Sequence, residues 1–436
     1  MIQSKLLKIW KDIEYPFLQN ANGEDLYFKQ LKDIKINGLD KVSKGDVVAL
    51  IGDFDPKTIS TLLMLIEKGA IVVPLTEETN AQHEYFFEES LCQHIFFRNE
   101  FKLTIHKKKK KHPLLEKLRS ENHPGLILFT TGTTGRPKAI LHDFYPFIDR
   151  YKIPRPPLKA LSFLLFDHIG GLNTLFHMLF NQGQVVSIKN RNIDEVINLL
   201  NKYSIELLPT TPTFLRMLSL YPEVERKISH TLKIISYGTE RMDQPTLNKL
   251  CSQFPNVDFR QTYGMSELGI LRIKSEARNS LFMEVGGEGI ERKVVDNILF
   301  LKSANKMLGY LNAPSPFDED GWYNTKDIVE IKEGKYLKII GRDSEIINVA
   351  GLKFMPYEIE FEFLKIEGIK YAKAIGKNNP ITGQHVEVEI ELDKNLNKSI
   401  NKIDILEKLK NVLPKHMIPA KISIKERKLS HRYKKL

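Results

Sequence analysis

The sequence predicts an α/β fold, with a large N-terminal domain built on parallel sheet and a small α+β domain at the C-terminal end. Three observations carry this expectation. Short apolar runs of strand length alternate with helical stretches over most of the chain. After Glu284 the texture changes to short alternating strands and turns. After Gly341-Arg342 it changes again, to a compact αβ pattern, so a boundary is placed there, with domains over 1–341 and 342–436. A chain of 436 residues also exceeds one ordinary domain.

The early elements set the pattern. Asp46 precedes an apolar run over 47–51, short enough for a buried strand. Residues 56–68 carry Ile59, Leu62, Leu63, Leu65 and Ile66 at helical spacing and close at Gly69. A β-branched strand over 71–73 follows and is expected to end at Pro74. Such strand–helix–strand units build parallel sheets with helices on both faces. Further strands are expected over 126–129, 185–188, 205–208 and 232–235, with helices over 172–180, 194–202, 212–220 and 244–254. Segments 297–302 and 335–340 read as strands of the later, turn-rich part.

Composition narrows the class. Hydrophobic residues at 42% and charged residues at 27% describe an ordinary globular chain rather than a disordered one. The N-terminal stretch lacks the apolar run of a signal peptide, and no uncharged stretch reaches membrane-spanning length. Cys92 and Cys251 are too few for a disulfide framework or a cysteine metal site. The expected location is the cytoplasm, with no integral membrane segment. A net charge of +11 favours anionic partners such as nucleotides, coenzyme A or acidic carrier proteins. The lysine run 107–111 has no interleaved aromatics, so it reads as a solvated loop rather than a nucleic-acid surface.

The chemistry sits after strand 126–129. There Thr130, Thr131, Gly132, Thr133, Thr134, Gly135, Arg136, Pro137 and Lys138 alternate hydroxyls with glycines and close on a lysine. Glycines let backbone N–H groups approach oxyanions, threonine hydroxyls add donors, and Lys138 adds a point charge. The pattern suits a polyphosphate, although it is not the GxxxxGK[ST] loop.

This loop resembles the phosphate-binding signature of the adenylate-forming superfamily, which includes acyl- and aryl-CoA ligases, luciferases and peptide-synthetase adenylation domains. Ala139 stands where the family has glycine. Other segments match in family order. Residues 69–75 look like the early strand, and Tyr237-Gly238-Thr239 takes the place of the adenine-contacting loop. Tyr263-Gly264-Met265-Ser266-Glu267 resembles the segment whose hydroxyl meets phosphate and whose carboxylate holds Mg2+. It lacks the second glycine of a hydrolase G-x-S-x-G elbow. Asp327, in Gly321-Trp322-Tyr323-Asn324-Thr325-Lys326-Asp327, matches the ribose-binding aspartate, and a carboxylate can accept two hydroxyls. Arg342 matches a ribose-contacting arginine in the hinge segment 341–344, where Ser344 replaces the usual Asp or Lys pivot. Gly351 falls in the loop that enters the site for thiol transfer. Segment 413–419 resembles the linker before the catalytic lysine. Ser430-His431-Arg432-Tyr433-Lys434 then fits Thr-x-x-Gly-Lys, with Tyr433 in place of glycine. Lys434 is the candidate catalytic lysine, with Lys428 and Lys435 as alternatives.

The resemblance covers nearly the whole chain, with a first segment shorter than typical. It implies a small β-barrel-like part in the large domain and a mobile C-terminal domain. It also implies that ATP and a small carboxylic acid form an acyl-adenylate and pyrophosphate, and that the acyl group passes to coenzyme A or a carrier protein's phosphopantetheine. The acid pocket reads in two registers. In one, His168 heads the His-x-x-Gly segment of CoA ligases. In the other, Phe166 takes the aromatic place and Asp167 pairs with an amino acid's ammonium. Thr211, Thr213, Tyr237 and Met265 line the pocket in either register. Three functions stay open: an acyl-CoA or acyl-carrier-protein ligase, an amino-acid-activating enzyme, and a non-catalytic nucleotide-binding homologue.

Overall fold

The computed structural model describes residues 2–20, 25–106, 108–130, 136–287, 289–392 and 401–425. Thr131, Gly132, Thr133, Thr134 and Gly135 of the expected phosphate loop lie outside the described residues, as do Lys428, Tyr433, Lys434 and Lys435. The fold is α/β, with a large N-terminal part built on sheets and a smaller C-terminal part.

The first seven-stranded sheet runs, in spatial order, Gly309–Tyr310, Ala139–Asp143, Gly125–Phe129, Ile71–Leu75, Val47–Ile51, His94–Phe97 and Glu100–Thr104. Its central strands are parallel and its edges antiparallel. Strand Val47–Ile51 shows why such segments read as unbroken apolar runs. Val47 and Ala49 enter one core cluster and Val48 and Leu50 another, so both faces of the sheet are covered. The strand expected to end at Pro74 continues to Leu75. Ile71 donates its N–H to Asp46, so the alternation aims the missing N–H of Pro74 at the opposite neighbour, Gly125–Phe129. That ladder covers only Ile71 and Val72, and the proline disrupts nothing.

The second seven-stranded sheet runs Asp258–Gln261, Ile234–Tyr237, Leu207–Thr210, Lys159–Leu161, Gln184–Val186, Leu18–Gln19 and Asp25–Leu26. It is parallel except at Asp25–Leu26. The strands expected over 205–208 and 232–235 lie two residues later, at Leu207–Thr210 and Ile234–Tyr237, and that over 185–188 is found at Gln184–Val186. Apolar runs mark where the chain is buried, whereas strands begin where pairing begins. Pairing continues through Pro209, Thr210 and Ser236, which a search for apolar residues passes over. Helices Ile193–Lys202, Pro212–Ser219 and Gln244–Gln253 start at side-chain caps supplied by Asn192, Thr211 and Asp243, and the last two have proline in the first turn.

The turn-rich part begins at Arg272, earlier than the change of texture at Glu284 suggests. It forms a six-stranded antiparallel sheet, Arg272–Ser275, Met283–Gly286, Tyr336–Arg342, Tyr323–Lys332, Ile298–Ser303 and Ile290–Val295, whose edge strands do not pair with each other among the described residues. From Ile347 the chain builds a five-stranded sheet with a core of its own, which includes Ile347, Phe363, Val388, Leu409 and Ile422. No described helix is long and apolar enough to cross a membrane. Lys108, Lys109 and Lys111 are exposed, as a solvated loop requires, and the described part of the run is tied down at two points. Lys109 bonds the Lys44 carbonyl and lies 3.4 Å from Asp46, and the Lys110 carbonyl accepts Arg119 at 2.9 Å.

Candidate active site

The described ends of the phosphate loop form a hairpin neck. Strands Gly125–Phe129 and Ala139–Asp143 pair from Gly125 opposite Asp143 up to Phe129 opposite Ala139. Beyond that, Thr130 N–H donates to the Lys138 carbonyl at 3.2 Å, and Lys138 N–H to the Thr130 hydroxyl at 3.1 Å. Asn312 and Tyr85 brace the neck from outside. Asn312 accepts Ala139 N–H at 2.9 Å, and its amide reaches the Pro137 carbonyl at 3.2 Å. Tyr85 donates to the same carbonyl at 2.8 Å.

From this neck a polar chain leads to the expected nucleotide residues. Lys138 Nζ stands 4.8 Å from the centre of the Tyr310 ring. Tyr310 donates its hydroxyl to Glu267 Oε1 at 2.6 Å. Glu267 is 8% exposed and sits in the turn between the two short strands Gly264–Met265 and Gly269–Ile270. Burial pushes the Tyr310 phenol far above its usual range, and the Glu267 charge adds to the shift, so Tyr310 stays a donor. Tyr323 lies within electrostatic reach of both Glu267 and Asp327, its phenol also raised, first by burial. Asp327 then accepts the Tyr263 hydroxyl at 2.5 Å and Arg342 Nε at 3.3 Å. Cross-strand register makes the latter contact, since Asp327 pairs with Arg342. Burial raises the Asp327 carboxyl above the usual carboxylate value, while Tyr263 and Arg342 act to lower it.

Glu267 fits a magnesium ion. Tyr310 is hydrogen-bonded to one carboxylate oxygen, and Mg2+ is ordinarily held by one or two carboxylates with water and substrate phosphate completing its shell.

The adenine-loop candidates lie at the carboxyl end of Ile234–Tyr237. Tyr237 is 1% exposed, and its side chain belongs to the core of the second sheet. Its carbonyl accepts Thr262 N–H at 2.7 Å, which ties Gly238 and Thr239 to the segment that leads into Tyr263. Thr211 and Thr213 are also enclosed. The Thr211 hydroxyl caps helix Pro212–Ser219 through Phe214 N–H at 3.2 Å, and Thr213 N–H donates to Glu240 at 3.2 Å. Met265 packs against the core of the six-stranded sheet, and Ser266 is half-buried beside it.

The two pocket registers have different surroundings. His168 is half-buried and caps helix Ile169–Phe180, its Nδ1 accepting Gly170 N–H at 3.0 Å, so Nε2 carries the ring proton. A Cβ at Gly171 would lie 2.0 Å from the Leu165 carbonyl oxygen, so glycine lets this helix begin tight against the preceding turn. Asp167 is 4% exposed and close enough to His83 to raise its pKa, against the larger lowering by burial. Gly351 occupies the tip of the hairpin between Ile347–Val349 and Leu352–Phe354, away from other side chains.

Sequence reading missed Tyr85, Tyr310, Asn312 and the residues around Arg191. Tyr310 and Asn312 lie far along the chain from the loop they support, and no spacing rule marks them. Arg191, 6% exposed, donates Nε to the Phe163 carbonyl at 2.6 Å and lies 3.7 Å from Asp53, whose carboxyl burial pushes up to about 6 despite that arginine.

The profile of the AMP-binding enzyme family matches residues 36–297. The chain belongs to that family. The chain is similar to the 2-succinylbenzoate–CoA ligase of Staphylococcus epidermidis, 28% identical over 314 residues that cover 68% of this chain and 64% of the relative. A medium/long-chain-fatty-acid–acyl-carrier-protein ligase of Mycobacterium tuberculosis is 26% identical over 288 residues, 57% of this chain and 52% of the relative. Across the first curated relatives the alignments span 47–64% of their length. The fold is similar to that of o-succinylbenzoate CoA synthetase (MenE) from Bacillus subtilis in complex with the acyl-adenylate OSB-AMP, with a TM-score of 0.76 and 18% identity, covering 98% of this chain and 95% of that one.

Proposed function

We propose that this AMP-binding family member activates a carboxylic acid with ATP to an acyl-adenylate, releases pyrophosphate, and transfers the acyl group to a thiol of coenzyme A or carrier-protein phosphopantetheine. One observation carries the reading: Lys138 over the Tyr310 ring, the Tyr310 hydroxyl on Glu267, and Asp327 held between Tyr263 and Arg342, with Tyr323 within electrostatic reach of both carboxylates. It joins groups suited to phosphate, magnesium and ribose along one wall.

The chemical difficulty is electrostatic, because an anionic carboxylate must approach a polyanion. In this reading, residues Thr130 to Lys138 hold the triphosphate with backbone, hydroxyl and ammonium donors. Glu267 holds Mg2+, which supplies positive charge at the phosphate oxygens. Asp327 has lone pairs beyond those given to Tyr263 and Arg342, and each oxygen can take one ribose hydroxyl. Lys434 bridges the acid's carboxylate and the α-phosphate. A hinge over 341–344, between domains 1–341 and 342–436, then lets the Gly351 loop approach the adenylate. The two free cysteines, one of them buried, accord with a cytoplasmic site of action.

For the acid, the reading takes the His168 register. Asp167 is enclosed beside His83, whereas His168 is only half-buried, at the start of helix Ile169–Phe180. Pyrophosphate release on addition of ATP and a panel of acids is the test. Release with a simple carboxylic acid supports the ligase reading, and release only with amino acids favours the amino-acid-activating alternative. No release with any acid leaves the non-catalytic homologue. The variant D167S separates the registers: the ratio of kcat/KM for amino acids to that for plain acids stays unchanged in the His168 register, and falls about 30-fold or more if Asp167 pairs with a substrate ammonium.

A further inference from the structure

Arg191 and Asp53 stand where the carboxyl ends of the two large sheets meet. Asp53 follows strand Val47–Ile51 of the first sheet, and Arg191 lies a few residues beyond Gln184–Val186 of the second. Arg191 itself, and Phe54 beside Asp53, touch the segment that ends at His168. Arg191 Nε donates to the Phe163 carbonyl at 2.6 Å, and Phe54, next to Asp53, packs edge-on against Phe166 with ring centres 5.8 Å apart. Phe163 in turn packs at a tilt against Phe214, with ring centres 4.6 Å apart, and Phe214 N–H donates to the Thr211 hydroxyl. The pair therefore borders the candidate acid pocket. In open α/β sheets the carboxyl ends of strands are where ligands bind.

The guanidinium is incompletely satisfied. Arg191 Nη2 is buried and has no hydrogen-bond partner among the described residues; Asp53 at 3.7 Å balances charge without accepting its proton. A buried N–H left without an acceptor is costly, and guanidinium is the side chain best matched to a carboxylate's two oxygens. Arg216 differs in bonding its counter-ion Asp243 directly through Nη2, although its own Nε is likewise buried without a partner among the described residues.

We propose that Arg191, with Asp53 as its resting counter-charge, forms a second anion subsite beside the acid pocket, so that the acid activated here carries a further carboxylate away from the one that is adenylated. The inference rests on the ligase reading above. An incoming carboxylate accepts a hydrogen bond from the Nη2–H that Asp53 leaves unbonded, and an acid without one leaves that donor buried and unpaired.

The experiment compares succinate, glutarate, adipate and isophthalate with butyrate, pentanoate, hexanoate and benzoate as substrates for pyrophosphate release, in the wild-type chain and in R191Q, R191K and D53N. The expected result is a diacid-to-monoacid ratio of kcat/KM well above one, falling about 100-fold in R191Q and partly recovered in R191K. D53N should raise the ratio, which the loss of a merely structural ion pair would not do. A wild-type ratio near one, or equal losses for both acid classes in R191Q, overturns the inference and leaves the ligase reading standing. If no acid releases pyrophosphate the ligase reading fails, and the subsite is judged by thermal shift alone. Glutarate or isophthalate raising the Tm of the wild type and of R191K, but not of D53N paired with R191Q, supports it, and no shift in the wild type overturns it.

Discussion

Glu267 illustrates how one residue acquires a role from what surrounds it. A carboxylate next to a serine on a turn is an unremarkable surface pattern, yet here it is 8% exposed and accepts the Tyr310 hydroxyl at 2.6 Å. That bond fixes the rotamer of Glu267 and occupies part of one oxygen, leaving the rest of the carboxylate for a cation. The variant E267Q keeps the shape and an acceptor for Tyr310 but removes the charge. Adenylate formation is expected to fall about 100-fold or more, with the Tm nearly unchanged. Unaltered adenylation at saturating Mg2+ would remove Glu267 from the metal role. The tyrosine can be tested apart from it: Y310F leaves the charge but frees the rotamer, and a smaller loss, of about tenfold, is expected in the same assay.

At the scale of the element, the hairpin over 347–354 has a two-residue turn at Ala350 and Gly351, with Val349 opposite Leu352. Both turn residues have positive φ, 53° for Ala350 and 87° for Gly351, as the tight turn that matches strand twist demands. Glycine accepts this freely and alanine does not, because its Cβ crowds the backbone in the left-handed region. Replacing Ala350 with glycine or asparagine is expected to stabilise the protein by about 0.5–1 kcal/mol, read as a rise in the urea midpoint at constant m-value. A fall in the midpoint would mean that the Ala350 methyl makes a packing contribution larger than its strain. Helix Ile169–Phe180 presents the converse case. Gly171 is required there by the Leu165 carbonyl, and G171A should displace the helix start and with it the ring of His168.

The whole molecule is held by sheets whose interiors enclose a few titratable groups, and these set its acid limit. His142, on strand Ala139–Asp143, is 2% exposed, and burial pushes its pKa down to about 4. His177 is likewise lowered to about 4, first by burial and then by Arg150 and Arg155. In the unfolded chain a histidine titrates near 6.5, so between about pH 6.5 and 4 the unfolded state binds protons that the folded state refuses. Stability is therefore complete above pH 6.5 and is lost as pH falls toward 4, by up to about 3 kcal/mol for His142. The Tm should fall steadily over that window, and H142Q should flatten the decline. A Tm independent of pH across it would show that these rings are hydrated in solution.

Much of the molecule was legible in the order of its residues. The alternation of strand-length and helix-length apolar patterns and the Thr/Gly loop closing on Lys138 are local features. Backbone geometry sets the periods. The α/β class followed from those patterns, the smaller C-terminal part from the change of texture after Gly341-Arg342, and the adenylate-forming family from the resemblance of the loop and of later segments to that family's signatures. Strand limits were less legible, because pairing of Leu207–Thr210 and Ile234–Tyr237 depends on a neighbour from elsewhere in the chain. Only the tertiary structure decided that Tyr85 and Asn312 brace the neck between Thr130 and Ala139, that Tyr310 meets Glu267, that Asp327 sits between Tyr263 and Arg342, and that Asp53 faces Arg191. Each of those contacts joins residues from separate strands or sheets, so no spacing along the chain encodes it. Register and the packing of sheet against sheet bring them together, and these belong to the folded molecule as a whole.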